Sequence, residues 1–370
     1  MKILYITTIG GTMNFFKTFI KALVTEGHTV DIACNDSKSK VPDFFYELGC
    51  KAHSIQVSRS PLNKGNIKAI SQIKKLVKDN KYDIVHCHTP IAAMCTRLAC
   101  RKVRKSGTKV FYTAHGFHFY KGAPKLNWMI YYPIEKFCSH FTDKLLTINS
   151  EDYELAKTKF KAKEISYVPG VGVDLSKFEN VSVDKAAKKR EIGVPVDAKL
   201  LLSVGELNEN KNHQIIIKAL AKLNDTNIHY AIAGIGDKKE HLLELAKELG
   251  VEKQVHLLGF RKDIPELNYA SDVFCFPSYR EGLGLSSIEA MSCGLPIVTS
   301  NVHGINDYSQ DGVTGYKCAP TDIDGFAKAI RDLIDNSELS AKMGEYNKKY
   351  AKKYEMAVII QMMMGVYGIE

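Results

Sequence analysis

Residues 273–301 read VFCFPSYREGLGLSSIEAMSCGLPIVTSN. VFCFPS and PIVTSN are short apolar runs of the kind buried in a parallel sheet, and SSIEAMSCG between them reads as a helix ended by Gly294. Strand, helix, strand makes YREGLGLS the loop at the carboxyl end of a strand. Open parallel sheets bind their ligands beyond those ends.

The same alternation runs upstream. KLLLSVG (199–205), IHYAIAG (228–234) and VHLLG (255–259) read as strands separated by helices, the first helix beginning at Lys211. KILYITT (2–8), HTVDIAC (28–34), DIVHCHT (83–89), KVFYTAH (109–115) and KLLTINS (144–150) repeat the pattern in the first half. Such alternation predicts an α/β fold with two doubly wound, Rossmann-like domains. The polar stretch VSVDKAAKKREIGVPVDA interrupts it. The expected organisation is a first domain over 1–175, a linker over 176–195, a second domain over 196–350 and a C-terminal helix over 351–370 packing back on the first domain. Its methionine-rich end is expected to be core. Two such domains facing across a cleft would turn both sets of strand-end loops toward one ligand.

A length of 370 residues suits two domains, and 45% hydrophobic with 25% charged residues is the balance of an ordinary globular protein. Nine cysteines without a Cys-x-x-Cys pair suggest neither a disulfide framework nor a zinc ribbon. The start MKILYITTIGGTMNFF lacks the apolar core of a signal peptide, and no run is long enough to span a membrane, so a cytoplasmic location is expected. The net charge of +10 is uneven: residues 1–180 hold 28 Lys and Arg against 15 Asp and Glu, or +13, and the remaining 23 against 26 give −3. Basic clusters at Lys64–Lys81 and 97–109 suggest peripheral contact with an anionic membrane. No recognition motif or interleaved aromatics accompany them, so nucleic acid is not expected as a partner.

In YREGLGLSSIEAM (279–291), Gly282 and Gly284 permit close backbone approach to a ligand, and the N–H groups of Leu283, Gly284 and Leu285 meet the positive end of a helix. A phosphate suits that place. Carboxylates beside a phosphate make sense only if they bind hydroxyls, Glu281 on a sugar and Glu289 on a ribose. The alternative is a plain strand-to-helix turn with an exposed Glu281 and a structural Glu289.

The Glu, seven residues, Glu spacing within PSYREGLGLSSIEAMSCGLPIVTS resembles the signature of glycosyltransferase family 4, retaining enzymes of the two-domain GT-B fold. IGGTMNFF, DIVHCHTP, TAHGFH, VPGVGVD, SVGELNENKN, LLGFRKDI and DGVTGY match in the same order along nearly the whole chain. The likeness is especially close to enzymes that build bacterial capsular and exopolysaccharide repeat units on lipid carriers. It implies that Glu281 contacts donor-sugar hydroxyls, Glu289 the ribose, and the backbone of Gly282 to Leu285 the diphosphate. It also implies that Lys211 neutralises the departing diphosphate, that the backbone around Phe260 and Arg261 binds the base, and that Gly10 and Gly11 let donor phosphate and acceptor approach. One position departs: the family has arginine five residues before the lysine, and here stands Glu206. A carboxylate cannot replace a guanidinium against a diphosphate. Arg261, Arg280 or His303 then supplies the charge, or Glu206 turns to the donor sugar or to Lys211.

His115 ends a strand beside a glycine, placed to donate to an oxygen gaining charge, and its family counterpart faces the donor sugar and phosphate. It can equally be a packed histidine. His118 can touch either substrate. His86 and His88 share one strand face with Cys87 on the other, where His88 either contacts the acceptor or packs in the core. No third ligand converges there, and Asp322 and Asp324 read as a helix cap with first-turn acids, so no metal is expected.

These readings converge on a membrane-associated hexosyltransferase at the cytoplasmic face. A nucleoside diphosphate sugar, UDP-linked by family frequency, is the donor, and a lipid-linked saccharide the acceptor. No cofactor is expected, because the nucleotide sugar is itself the substrate. The alternatives are a sugar-nucleotide epimerase of the same fold and a non-catalytic sugar-binding protein.

Overall fold

The computed structural model describes residues 1–179 and 181–369, so position 180 of the expected linker and position 370 lie outside it. The chain divides into two compact units, Met1–Val171 with Ile359–Glu370, and Gly172–Val358.

The first unit is built on seven parallel strands, β1 (Lys2–Ile9), β2 (Thr29–Asn35), β3 (Lys51–Ser54), β4 (Ile84–His88), β5 (Lys109–Ala114), β6 (Lys144–Thr147) and β7 (Glu164–Tyr167). Their spatial order is β3-β2-β1-β4-β5-β6-β7. The chain winds outward to β3 and then returns to lay β4 on the free side of β1, pairing Tyr5 with His86. Winding therefore reverses between β1 and β4. Alternate side chains of β1 enter two cores, as the period of a strand requires. Leu4 and Ile6 join helices Gly65–Asn80, Pro90–Cys100 and Lys125–Ser139 on one face. Ile3 and Tyr5 join helix Lys17–Thr25 and, from the end of the chain, Ile359 and Tyr367 on the other.

An ion pair is buried in the first of these cores. Arg97 meets Glu135 at 2.8 Å, lies over the Tyr112 ring at 4.3 Å, and the Tyr112 hydroxyl donates to Glu135 at 3.2 Å. The basic run 97–109 is thus less of a surface than its sequence suggests. Arg97 is fully buried, and Arg104 is paired with Asp143 at 2.7 Å.

The second unit carries six parallel strands, β8 (Lys199–Val204), β9 (Ile228–Ala233), β10 (Val255–Gly259), β11 (Val273–Phe276), β12 (Ile297–Ser300) and β13 (Gly315–Cys318), in the order β10-β9-β8-β11-β12-β13. Winding reverses between β8 and β11, and both loops leaving the carboxyl ends of those strands open at that point. Two connections are fixed by glycine. A Cβ on Gly234 would sit 1.8 Å from the Gly205 carbonyl oxygen, and one on Gly236 would sit 2.3 Å from that of Leu207, so the loops after β8 and β9 touch backbone to backbone.

Every strand expected from the sequence is present, and three further strands are added: β3, β7 and β13. All three lie at sheet edges, where one flank meets no neighbouring strand, and two are only partly buried along their length. They lack the continuous apolar run that marked the others. The stretch expected to be a linker is structured instead. Helix Lys185–Glu191, capped by Asp184 accepting from the Ala187 amide, belongs to the second unit and packs on helix Ile264–Ala270. Lys188 of that helix reaches Asp263 at 2.8 Å. Of its lysines, read as linker polarity, Lys185 is exposed and Lys188 is paired, while Lys189 is buried and donates to the Ala198 carbonyl at 2.7 Å.

Candidate active site

The loop after β8 and the loop after β11 are laced together. Asn210 donates its side-chain amide to the Arg280 carbonyl at 2.9 Å, and its own carbonyl accepts from the Tyr279 amide at 2.8 Å. Asn212, held in the left-handed region at φ +52°, donates to the carbonyls of Pro277 and Pro320. Asparagine tolerates that conformation better than most residues. The lacing delivers Lys211 to Glu281: Nζ and Oε1 lie 2.7 Å apart, with the ammonium 4.7 Å from the centre of the Phe276 ring. Behind them, the His213 imidazole is pushed down to about 4 by burial and by the neighbouring Lys211.

The backbone of the glycine loop is clamped from the other side. His303, at φ +42°, donates Nδ1–H to the Glu281 carbonyl at 2.6 Å, and the Gly304 amide donates to the same oxygen at 3.2 Å. Gly284 then precedes helix Leu285–Ser292 at φ +95°, and a Cβ there would sit 2.6 Å from the Phe276 ring and 2.8 Å from the Tyr308 hydroxyl. Only glycine meets both demands. The cap residue, Gly284, has no side chain to offer the first turn of this helix, the end of a helix that suits an anion.

Glu289, one turn on, lines a cavity of about 490 Å³ with Leu285, Lys177, Lys262, Pro265 and Glu266. Burial raises the Glu289 carboxyl above its ordinary value against the pull of Lys177. Phe260, at the end of β10, is 70% exposed. The side chain of Arg261 is spent on Asp263, at 2.8 Å, and on Glu191. It is therefore not free to replace the arginine missing at 206. Glu206 is exposed and accepts from the Asn208 side chain at 3.0 Å, while the partner of Lys211 is Glu281.

In the first unit the expected residues gather around β1, β4 and β5. His115 Nε2 and His88 Nδ1 share a hydrogen bond at 3.1 Å, and His115 is exposed. His88, expected as an acceptor contact, is only 1% exposed, lies between the rings of Tyr5 and Phe16, and lines a small pocket with Thr113 and His115. His86 is fully buried, bonded to Tyr367 at 2.6 Å and Thr113 at 2.8 Å, and burial pushes it down to about 3. Gly10 also has a packing role. A Cβ there would sit 2.4 Å from the Lys40–Val41 backbone, so packing within the unit demands glycine at that position. Gly11 meets Ser39 instead, at 2.6 Å from its hydroxyl. His118 stacks near Tyr131, with ring centres 4.7 Å apart.

Asp322 caps helix Ile323–Asp335 by accepting from the Gly325 amide at 2.8 Å, and Asp324 pairs with Lys222. Among the described residues, no three His, Cys, Asp or Glu side chains are grouped so as to hold a metal ion, and no helix is long and apolar enough to cross a membrane.

Sequence reasoning singled out Lys211, Glu281 and the glycine loop, which the structure brings together, but not the asparagines that do so. The signal was present in ELNENKN, where three asparagines flank the lysine. It also passed over the cavity-lining Lys177 and Glu266, which carry no motif.

Residues 2–149 match the family described as Glycosyl transferase 4-like, and residues 184–350 match Glycosyl transferases group 1. The chain is 36% identical over 372 residues to a Bacillus subtilis (strain 168) protein named glycosyltransferase EpsD, covering 99% of this chain and 96% of that protein. It is 29% identical over 310 residues to the UDP-Gal:alpha-D-GlcNAc-diphosphoundecaprenol alpha-1,3-galactosyltransferase of Escherichia coli, covering 82% of this chain and 79% of the other. Among solved structures, Anabaena Alr3699/HepE in complex with UDP superposes with a TM-score of 0.83 at 19% identity, covering both chains completely, a likeness of fold. On the two parallel-sheet units and the relatedness to EpsD along its length, the chain belongs to the glycosyltransferases of the GT-B fold.

Proposed function

We propose that the chain moves a hexose or N-acetylhexosamine from a UDP-sugar to a lipid-linked saccharide, with retention of anomeric configuration, in the assembly of a surface polysaccharide. The observation that carries this reading is the Lys211–Glu281 contact at the winding reversal of the second unit, beside the helix start that follows Gly284. Cation, amide groups and glycine backbone suit a diphosphate, and a carboxylate beside them suits sugar hydroxyls. The cavity holding Glu289 is of a size to take a nucleoside, with the carboxylate accepting from the ribose diol and Phe260 near the base. The galactosyltransferase relative, whose name specifies a UDP-sugar donor and a diphosphoundecaprenol acceptor, supports the same substrate classes here.

In the proposed reaction, the bond between the sugar C1 and the diphosphate breaks with oxocarbenium character. Lys211 and the amides from Gly282 to Leu285 stabilise the charge that collects on the leaving oxygens. The acceptor oxygen bonds to C1 from the same face, and its proton passes to the departing diphosphate. No enzyme–sugar bond forms. His115 is assigned an electrostatic role toward an oxygen that gains charge, positioned by His88. No metal or cofactor enters this scheme. The protein is placed at the cytoplasmic face of the membrane, where a lipid-linked acceptor would be met.

Thermal unfolding in the presence of a panel of nucleoside diphosphate sugars tests the donor assignment, because a ligand that binds the native state alone raises its stability. UDP-sugars are expected to raise the midpoint and other nucleotides to leave it in place. No shift with any nucleotide sugar overturns the proposal, and conversion of the donor sugar without acceptor would make the chain an epimerase.

A further inference from the structure

We infer that the outward face of helix Lys125–Ser139, together with the start of helix Gly65–Asn80 across helix Pro90–Cys100, is a docking surface for an anionic lipid bilayer. The inference rests on the proposed membrane-borne acceptor and adds the side chains that meet the membrane.

Helix Lys125–Ser139 carries two apolar stripes, and its own unit uses only one. Trp128, Tyr131 and Tyr132 turn inward against the core, and Cys138 is buried. Leu126, Met129, Ile130, Pro133 and Phe137 follow one another at steps of one, three and four residues on the other side. Met129 is 73% exposed, Leu126 62% and Phe137 56%. A surface helix of a globular unit ordinarily turns polar residues to that side. Within the unit the stripe is only partly used, Phe137 meeting the edge of Phe141 with ring centres 5.3 Å apart.

The charges around it are mostly positive, the exception being Glu151, which accepts from the Lys121 amide at 2.9 Å. Lys121, Lys125 and Lys136 are exposed beside the stripe, while Glu135, the acidic residue of the helix, is turned inward onto Arg97. From Ile84 to Ile134 the sequence holds no aspartate or glutamate at all. Helix Pro90–Cys100 touches this helix on one side and helix Gly65–Asn80 on the other. The latter presents exposed Ile67 and Lys68, and just before it stand Leu62 and Lys64, also exposed.

Apolar side chains bordered mainly by ammonium groups fit the boundary between phospholipid headgroups and acyl chains. The former enter the acyl edge, and the latter meet lipid phosphates. A second copy fits less well, since a two-fold pairing of this face sets lysine against lysine. A nucleic acid would meet the lysines and leave Met129 and Phe137 without a role.

The test is co-sedimentation of the intact protein with vesicles of phosphatidylglycerol and phosphatidylcholine at low and high salt. Emission from Trp128, the single tryptophan of the chain, serves as a second reporter. Wild-type protein is expected to bind the mixed vesicles and not pure phosphatidylcholine. The Met129→Glu/Phe137→Glu variant is expected to lose on the order of tenfold in partitioning at either salt concentration. The Lys125→Glu/Lys136→Glu variant should lose roughly fivefold per lysine at low salt and little at high salt. The UDP-induced thermal shift should be unchanged in both, showing a folded protein with its donor site intact. Wild-type binding that both variants retain overturns this face while leaving the membrane-borne acceptor standing; no wild-type binding to anionic vesicles overturns both. A dimer in solution that Met129→Glu/Phe137→Glu dissolves would assign the face to a second copy and overturn the inference.

Discussion

If Lys211 holds the diphosphate and Glu281 the sugar, replacing Glu281 by glutamine should affect UDP and the complete donor in opposite directions. Glu281 Oε1 lies 2.7 Å from Lys211 Nζ, with side chains 15% and 20% exposed. Coulomb's law at that separation gives about 6 kcal/mol for an effective dielectric of about 20. Partial exposure and the ordering of both side chains lower the net coupling to roughly 1–2 kcal/mol. A diphosphate must compete with that carboxylate for the lysine. Glu281→Gln frees the ammonium and removes a negative charge from the site, so UDP alone should bind about fivefold to thirtyfold more tightly. Transfer should fall nonetheless, because the sugar loses its charged acceptor of hydrogen bonds. Lys211→Ala should weaken UDP by a similar factor or more. Titration calorimetry of UDP against the three proteins reads both signs directly. If Glu281→Gln weakens UDP as much as Lys211→Ala does, the carboxylate is holding the lysine in place for the nucleotide, and the division of roles proposed for the pair is wrong.

Other consequences follow from single contacts. Arg97→Met leaves Glu135 buried without its guanidinium and should cost about 3–5 kcal/mol in denaturant unfolding; a loss below about 1 kcal/mol would mean that the pair is dispensable. Gly284→Ala forces a side chain into φ +95° against Phe276 and should lower the melting midpoint and abolish the UDP-induced shift, whereas a wild-type midpoint would contradict the packing described. Arg261→Ala should leave UDP affinity nearly unchanged because its guanidinium is engaged by Asp263 and Glu191, and a loss matching that of Lys211→Ala would place it at the diphosphate after all. His86 and His213, pushed down to about 3 and about 4, stay neutral when folded but take up protons near pH 6.5 when unfolded. Stability is therefore full above about pH 6.5 and falls as pH drops toward 4, by up to about 1.4 kcal/mol per unit for each histidine. Denaturation midpoints that stay flat over that range would contradict their burial.

The fold was legible wherever a strand was buried on both faces. KILYITT and VFCFPS announce themselves because nothing polar interrupts them, whereas EISY of β7 has one flank open and so loses the apolar run. The 185–191 helix was hidden for the opposite reason: KAAKKRE has good helix formers, but its lysines pair with carboxylates distant in sequence, such as Asp263, and no periodic apolar face betrays it. At the site, glycine spacing and the paired glutamates located the β11 loop. What the sequence could not reveal was which cation meets which carboxylate. Glu206 and Glu281 are both within reach of a lysine on paper, and only the asparagine lacing decides that Lys211 turns to Glu281. Gly10 shows a demand the sequence did not reveal, a glycine whose smallness is required by the neighbouring Lys40–Val41 backbone whatever it does for a ligand.

The account's central claim is tested most directly by UDP release from UDP-sugars with a polyprenyl diphosphate saccharide acceptor, comparing wild type with Lys211→Ala and Glu281→Ala. Wild-type protein should release UDP in step with acceptor glycosylation, and both variants should fall by on the order of a hundredfold or more while remaining folded. Full activity in both variants would contradict the assignment of the donor site.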